Sequence, residues 1–118
     1  KPDYAHAYNA LGYSYAERNL RLPEARKLIE RALELSPDDY YIIDSMGWVL
    51  YRMGDLKGAA EQLRRAYLGR QDAEIGAHLG EVLWHMGERA EAERVWQEVH
   101  KSHPENETLQ KTLKRLRP

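Results

Sequence analysis

The chain contains no cysteine. Disulfides and zinc sites built on thiolates are therefore excluded, while the compartment stays open, because reducing and oxidising compartments both hold cysteine-free proteins. No apolar run approaches the roughly 20 residues needed to cross a bilayer as a helix. Neither sign of charge dominates: 18 Lys and Arg face 19 Asp and Glu, a net charge of −1. That balance lacks the basic stripe that nucleic acid demands, and it gives no reason to expect an anionic membrane surface. The sequence has no Ser/His/Asp order and no HExxH pair. The fragments around Lys57 lack phosphate-loop spacing. No signal peptide is present. Lys1-Pro2-Asp3 reads as the closing turn of a preceding unit, so the chain is expected to be a piece of a longer array.

What the sequence does have is self-similarity. Asp44–Asp55, "DSMGWVLYRMGD", returns as Ala77–Glu88, "AHLGEVLWHMGE", 33 residues later. Gly47 falls on Gly80, Val49-Leu50 on Val82-Leu83, and Met53-Gly54 on Met86-Gly87. Asn9–Leu20, "NALGYSYAERNL", is a weaker upstream copy with Gly12 in the same place. After each glycine comes a second apolar pattern: Ala25, Ile29 and Ala32; then Ala59, Leu63 and Ala66; then Ala92, Trp96 and Val99. Spacings of four and three mark one face of an α-helix. Each unit is thus two helices and two turns. A glycine inside a helix costs about 1 kcal/mol relative to alanine. Its recurrence at one register predicts a close crossing with the second helix, met there by Ala25, Ala59 and Ala92.

This pattern resembles the tetratricopeptide repeat (TPR), whose units read W-x2-L-G-x2-Y, then A-x3-F, then P. Tyr8-x2-Leu11-Gly12-x2-Tyr15 is a close match, while Ile43-x2-Met46-Gly47-x2-Leu50 and Gly76-x2-Leu79-Gly80-x2-Leu83 are looser. The resemblance covers nearly the whole chain. It implies an all-α, right-handed α-solenoid of about three TPR helix pairs plus a C-terminal capping helix. The apolar fraction of 42% can fill one stacked core, and the 31% of charged residues suits exposed helical faces. The chain reads as a single domain over 1–118, with repeats at about 4–38, 39–72 and 73–104 and a cap at about 105–117. The first A–B turn is one residue longer than the others. In the last segment Lys114 occupies the crossing-glycine position, and Leu109, Leu113 and Leu116 form an apolar stripe. That combination suits a terminating helix with a polar outer face.

The resemblance also implies a concave groove lined by fixed positions of the first helices. By register these are His6, Asn9, Ala10, Tyr13, Ala16 and Glu17 in the first unit. They are Tyr41, Asp44, Ser45, Trp48, Tyr51 and Arg52 in the second, and Glu74, Ala77, His78, Glu81, Trp84 and His85 in the third. Lys111 and Arg115 extend the row on the last helix. Tyr13, Tyr41, Trp48, Tyr51 and Trp84 are expected as aromatic anchors for a partner. Trp48 in particular is expected beside Tyr13, His78 and Glu81 with its ring open to the partner, so that its loss spares stability. Trp96 is expected in the core. Some TPR modules hold a C-terminal carboxylate with a lysine and asparagine clamp. Here Asn9, Tyr13, Ser45, Glu74 and His78 stand where that clamp would need Lys, Asn, Asn, Lys and Arg. An apolar or mildly basic segment therefore fits better than an acidic tail.

These features predict a non-enzymatic interaction scaffold or adaptor that holds a partner peptide or helix in the groove. No cofactor or metal, no nucleic acid and no direct membrane insertion by this segment are implied. The alternative is a structural or self-associating segment whose groove is filled by the parent chain or by a second copy, as a homodimer. A metal-dependent hydrolase rests only on His78, Glu81 and His85, which share a helical side but lack a fourth ligand. His100 and His103 near a helix end suit at most adventitious metal. Asn106-Glu107-Thr108 spells a glycosylation sequon and reads as a helix start. The longer phrases resemble TPR regions of Gram-negative bacterial envelope lipoproteins, adaptors among them. That resemblance points to the periplasm or outer membrane through a lipidated N-terminus outside this chain, with the cytoplasm as the alternative.

Overall fold

Short acidic and amide side chains start most of the helices. Asp39 and Asp72 each accept two backbone N–H groups of the following turn, while Asp55 and Asn106 each accept one. Such caps satisfy donors that have no partner inside the helix. A computed structural model describes residues 2–117, and they form seven helices. These are α1 (Pro2–Glu17), α2 (Leu22–Leu35), α3 (Tyr40–Arg52), α4 (Leu56–Gly69), α5 (Ala73–His85), α6 (Arg89–Ser102) and α7 (Glu107–Leu116). No strand occurs among the described residues. Pro2 and Asp3, expected in a turn, lie in the first turn of α1. Lys1, part of the same expectation, lies outside the described residues.

The helices pair as α1–α2, α3–α4 and α5–α6, and each pair stacks on the next to build a right-handed solenoid. The crossing glycines explain the close pairing. A Cβ on Gly47 would stand 2.6 Å from Leu63 Cγ and 3.2 Å from the Ala59 carbonyl. On Gly80 it would overlap the Trp96 indole. Packing recovered at the crossing offsets the propensity cost of glycine. Ile29, Ile43, Leu63, Ile75, Val82, Leu83 and Trp96 fill the core between the layers. On the outer side, the Arg64 guanidinium forks onto Glu91 at 2.9 and 3.2 Å, and the Tyr67 hydroxyl donates to Glu98 at 3.0 Å, tying α4 to α6.

The turns within pairs show what the extra residue of the first unit does. Gly54 and Gly87 sit at φ of +92° and +86°. Around them Asp55 N–H reaches the Leu50 carbonyl and Glu88 N–H reaches the Leu83 carbonyl, each at 2.9 Å. This closes the helix end through a left-handed residue, where glycine has no steric penalty. In the first unit Asn19, at φ +55°, takes that role, and Leu20 N–H reaches the Tyr15 carbonyl at 2.8 Å. The inserted residue puts Arg21 at φ +46° just before α2. Helix α7 then lies on α5, with Leu109 and Thr112 buried, Lys111 and Arg115 on the cavity side, and Gln110 and Lys114 exposed. It is the last helix of the described residues.

Candidate partner-binding groove

The first helix of each pair faces inward, and α7 continues that row. Together α1, α3, α5 and α7 wall a cavity of about 330 Å³. Its lining brings Tyr13, Glu17, Trp48, Glu74, His78, Glu81 and Lys111 together with Thr108, Thr112 and Arg115. The floor is closed by polar contacts between repeats. Asp44 of α3 and His78 of α5 are both nearly buried, with Nδ1 of the imidazole 2.9 Å from the carboxylate. Nε2 of the same ring is 3.4 Å from the Tyr13 hydroxyl of α1. One histidine thus joins three successive repeats. Burial by itself pushes its pKa down. The Asp44 carboxylate, with Glu74 and Glu17 adding to it, outweighs burial and holds it above the ordinary value. In the imidazolium form Nδ1–H donates to Asp44 and Nε2–H donates to Tyr13. Burial, followed by Glu17 one helical turn on, pushes the Tyr13 phenol well up.

A second bridge lies deeper toward the cap. Glu81 is nearly buried, and it accepts Arg115 Nη2 at 2.7 Å, Arg115 Nη1 at 3.2 Å and the Tyr51 hydroxyl at 2.7 Å. Burial pushes this carboxyl up, but the Arg115 and Tyr51 hydrogen bonds prevail and hold it below the usual glutamate range. Bonds that favour the charged form carry that effect. The bridge fastens α7 to α5 and α3 at once.

The structure departs from the expected anchor set at two tryptophans. Trp48 lies where the register puts it, beside His78 and in the cavity wall, but it is only 4% exposed. His78 stacks on it at a centroid distance of 4.1 Å, Tyr51 lies at 4.9 Å, and the Arg52 guanidinium covers it at 5.4 Å. It is core, and the open ring expected from sequence is closed over by the next repeat. Trp84 turns the other way. It packs on Trp96 at 5.5 Å, with Arg89 over its ring at 4.2 Å. It falls one turn after Gly80 and so shares the face that meets α6.

The other expected groove residues are spread around the cavity rather than in it. Tyr41 is exposed at the start of α3, where its hydroxyl donates to Asp72 and accepts from Arg70. Ser45 is buried, and its hydroxyl donates to the Tyr41 carbonyl of its own helix. Arg52 donates to the Glu17 carbonyl, and His85 stacks on Tyr51 at 5.9 Å. His6 is exposed on α1, while Asn9 is half-buried there with an Oδ1 that no donor reaches. His78, Glu81 and His85 do not converge, since each faces a different partner. Among the described residues no group of His, Asp and Glu could hold a metal ion. Thr108 and Thr112 were missed from sequence. The alignment of Lys114 with Gly80 already places them level with Glu74 and His78, and only their small neutral side chains kept them off the expected groove.

Paired helices with a glycine crossing, stacked three deep and closed by a single helix, define the class: the chain carries tetratricopeptide repeats. No protein-family model matches it. Over 81 residues it is 53% identical to the TPR repeat-containing protein PA4667 of Pseudomonas aeruginosa, a stretch covering 69% of this chain and 14% of that protein. The chain therefore spans a small part of that relative's length. Among solved structures it is similar to the first TPR of Spaghetti (RPAP3) bound to the HSP90 peptide SRMEEVD, with a TM-score of 0.82 and 15% identity over 98% of this chain and 92% of that one. The Sgt2 TPR domain from Aspergillus fumigatus gives 0.81 and 15% over 95% and 76%. PcrH in complex with the chaperone binding region of PopB gives 0.79 and 15% over 98% and 94%. At that identity the likeness is one of fold.

Proposed function

We propose that the chain is a non-enzymatic interaction module that seats a segment of a partner protein in the groove between its first helices. The observation that carries this reading is the cavity walled by side chains from four successive inner helices. Concave sites assembled at the junction of several elements are where ligands bind. Two structural neighbours are recorded with peptide segments, an HSP90 peptide and a region of PopB, and both support the same use of the fold. The groove chemistry also favours binding over catalysis. The Asp44–His78–Tyr13 line superficially suggests a proton relay. Its tyrosine, however, is pushed toward the protonated form, away from an activated nucleophile, and its histidine is consumed in joining repeats.

Photocrosslinking tests the proposal. A benzoylphenylalanine is placed at Lys111 on the inner face or at Leu68, which is 81% exposed on the outer face. Irradiation in the native cell should give partner adducts from position 111 and few from position 68. Adducts from position 68 alone would overturn the groove reading. Adducts to a second copy of the chain would favour self-association instead.

A further inference from the structure

The second repeat departs from its neighbours at three positions that meet on the outer face. Leu68 is 81% exposed on α4, where the same register carries Glu34 on α2 and Lys101 on α6. Tyr40 opens α3 where the other pairs have the buried Ala5 and Ala73, and its ring is 36% exposed. Gly69 stands where the others have Leu35 and Ser102, and a Cβ there would overlap the Tyr40 ring. The glycine therefore lets the tyrosine lie against the end of α4. Helix pairing does not need this arrangement, since α1–α2 and α5–α6 pair without it. A lone exposed apolar side chain is ordinary on a surface. Here, however, Leu68 stands beside an open cavity of about 670 Å³ whose wall includes Tyr40, Gly69 and Leu68 itself. The rim carries charges of both signs. Arg64 is taken by Glu91, while Asp38, Glu61 and Arg65 are exposed and have no ion pair among the described residues.

We propose that this face binds a second copy of the chain across a two-fold axis. Leu68 of each copy enters the other's cavity against Tyr40, and Arg65 of each copy faces Glu61 of the other. A two-fold contact brings one patch against itself, so the patch must hold both knob and hole, and its rim charges must answer their own images. This face meets both conditions. A rim of one sign would repel its copy, and a charged residue at the Leu68 position, as in the other two repeats, would leave no apolar knob. With seven residues around the cavity, against about 20–30 a side in a standard interface, the dimer is a weak, reversible one. The groove is walled by α1, α3, α5 and α7, whereas Glu61, Arg65 and Leu68 stand on α4, so the dimer leaves the groove open to a partner segment.

Sedimentation equilibrium at chain concentrations up to about 1 mM tests the proposal. The average mass should climb from 13.8 kDa toward twice that value. Leu68→Glu should hold it at the monomer with melting unchanged, because the position is exposed. Arg65→Glu and Glu61→Arg, each checked for unchanged melting, should weaken association about tenfold. An equimolar mixture of those two variants should recover the native affinity, because every rim pair is then matched again. In the crosslinking experiment such a dimer gives adducts between copies from position 68 alongside partner adducts from position 111. A groove filled by a second copy gives adducts between copies from position 111 instead. A monomer throughout the range, a Leu68→Glu variant that associates as the native chain does, or a mixture no tighter than its components would overturn the dimer and leave the groove reading standing.

Discussion

Replacing Trp48 by alanine separates a groove anchor from a groove floor. The indole is 4% exposed, stacks on His78 at 4.1 Å and lies under Arg52. Deleting a buried aromatic to alanine costs about 3–5 kcal/mol through lost burial and the cavity left behind. The unpaired indole N–H works in the other direction, because removing a buried donor without an acceptor relieves about 1–3 kcal/mol. The balance favours a loss of about 2 kcal/mol, roughly a 6–10 °C fall in melting temperature for a domain of this size. Urea unfolding followed by circular dichroism measures it, with Trp96→Ala as the reference because Trp96 is 2% exposed. Trp48→Ala should lose somewhat less than Trp96→Ala, because the Trp96 indole N–H donates to the Ala77 carbonyl and leaves no orphan donor to relieve. Trp48→Phe, which keeps a ring against His78 and removes the orphan donor, should stay within about 1 kcal/mol of the native protein. A loss below about 1 kcal/mol for Trp48→Ala would refute the reasoning, since a side chain that buried cannot be removed so lightly.

Other perturbations probe the crossings, the bridges and the cap. Gly80→Ala should destabilise by about 1–3 kcal/mol in the same urea assay despite alanine's better helix propensity, because its Cβ overlaps the Trp96 ring. Arg115→Ala should lower stability by about 1–3 kcal/mol, since it leaves the buried Glu81 carboxylate with only the Tyr51 hydroxyl. His78 is held above its ordinary value of about 6.5, so its contribution is complete below that pH and lost as pH rises through the raised value. Glu81 is held below its ordinary value, so its contribution is lost only as pH falls through the depressed value. Melting temperature against pH should therefore decline on the alkaline side, and His78→Gln should flatten that limb and leave the acid limb. Removing residues 105–118 takes away Leu109 and Arg115 together, so the truncated chain should melt lower and aggregate. Unchanged melting would show that α7 is no cap.

The repeat was legible because it is written in residues with few alternatives. A glycine that recurs at one helical register, met by an alanine from the partner helix, has little use except a close crossing, and Gly12, Gly47 and Gly80 all lie at one. The same register pointed Tyr13, Trp48, His78 and Glu81 to one place. Depth was not legible. A helical period gives the direction of Trp48 but not what the next repeat lays over it, and His78 supplies that cover from 30 residues downstream. Asp44, His78 and Glu81 looked like solvent-facing groove charges for the same reason. Their partners come from other helices, and pairing across repeats is what permits their burial. Trp84 misled because its aligned residue Tyr51 reaches inward to Glu81, whereas Trp84 packs on the neighbouring Trp96.

The most direct measurement is amide chemical-shift mapping of the isotope-labelled chain titrated with the partner segment that the crosslink from position 111 identifies. Shifts and line broadening should concentrate at Tyr13, Glu17, Glu74, Thr108 and Lys111 around the inner cavity, with Tyr40, Leu68 and the outer faces of α4 and α6 unmoved. Perturbations centred on Tyr40 and Leu68, with the inner helices silent, would contradict a partner-binding groove.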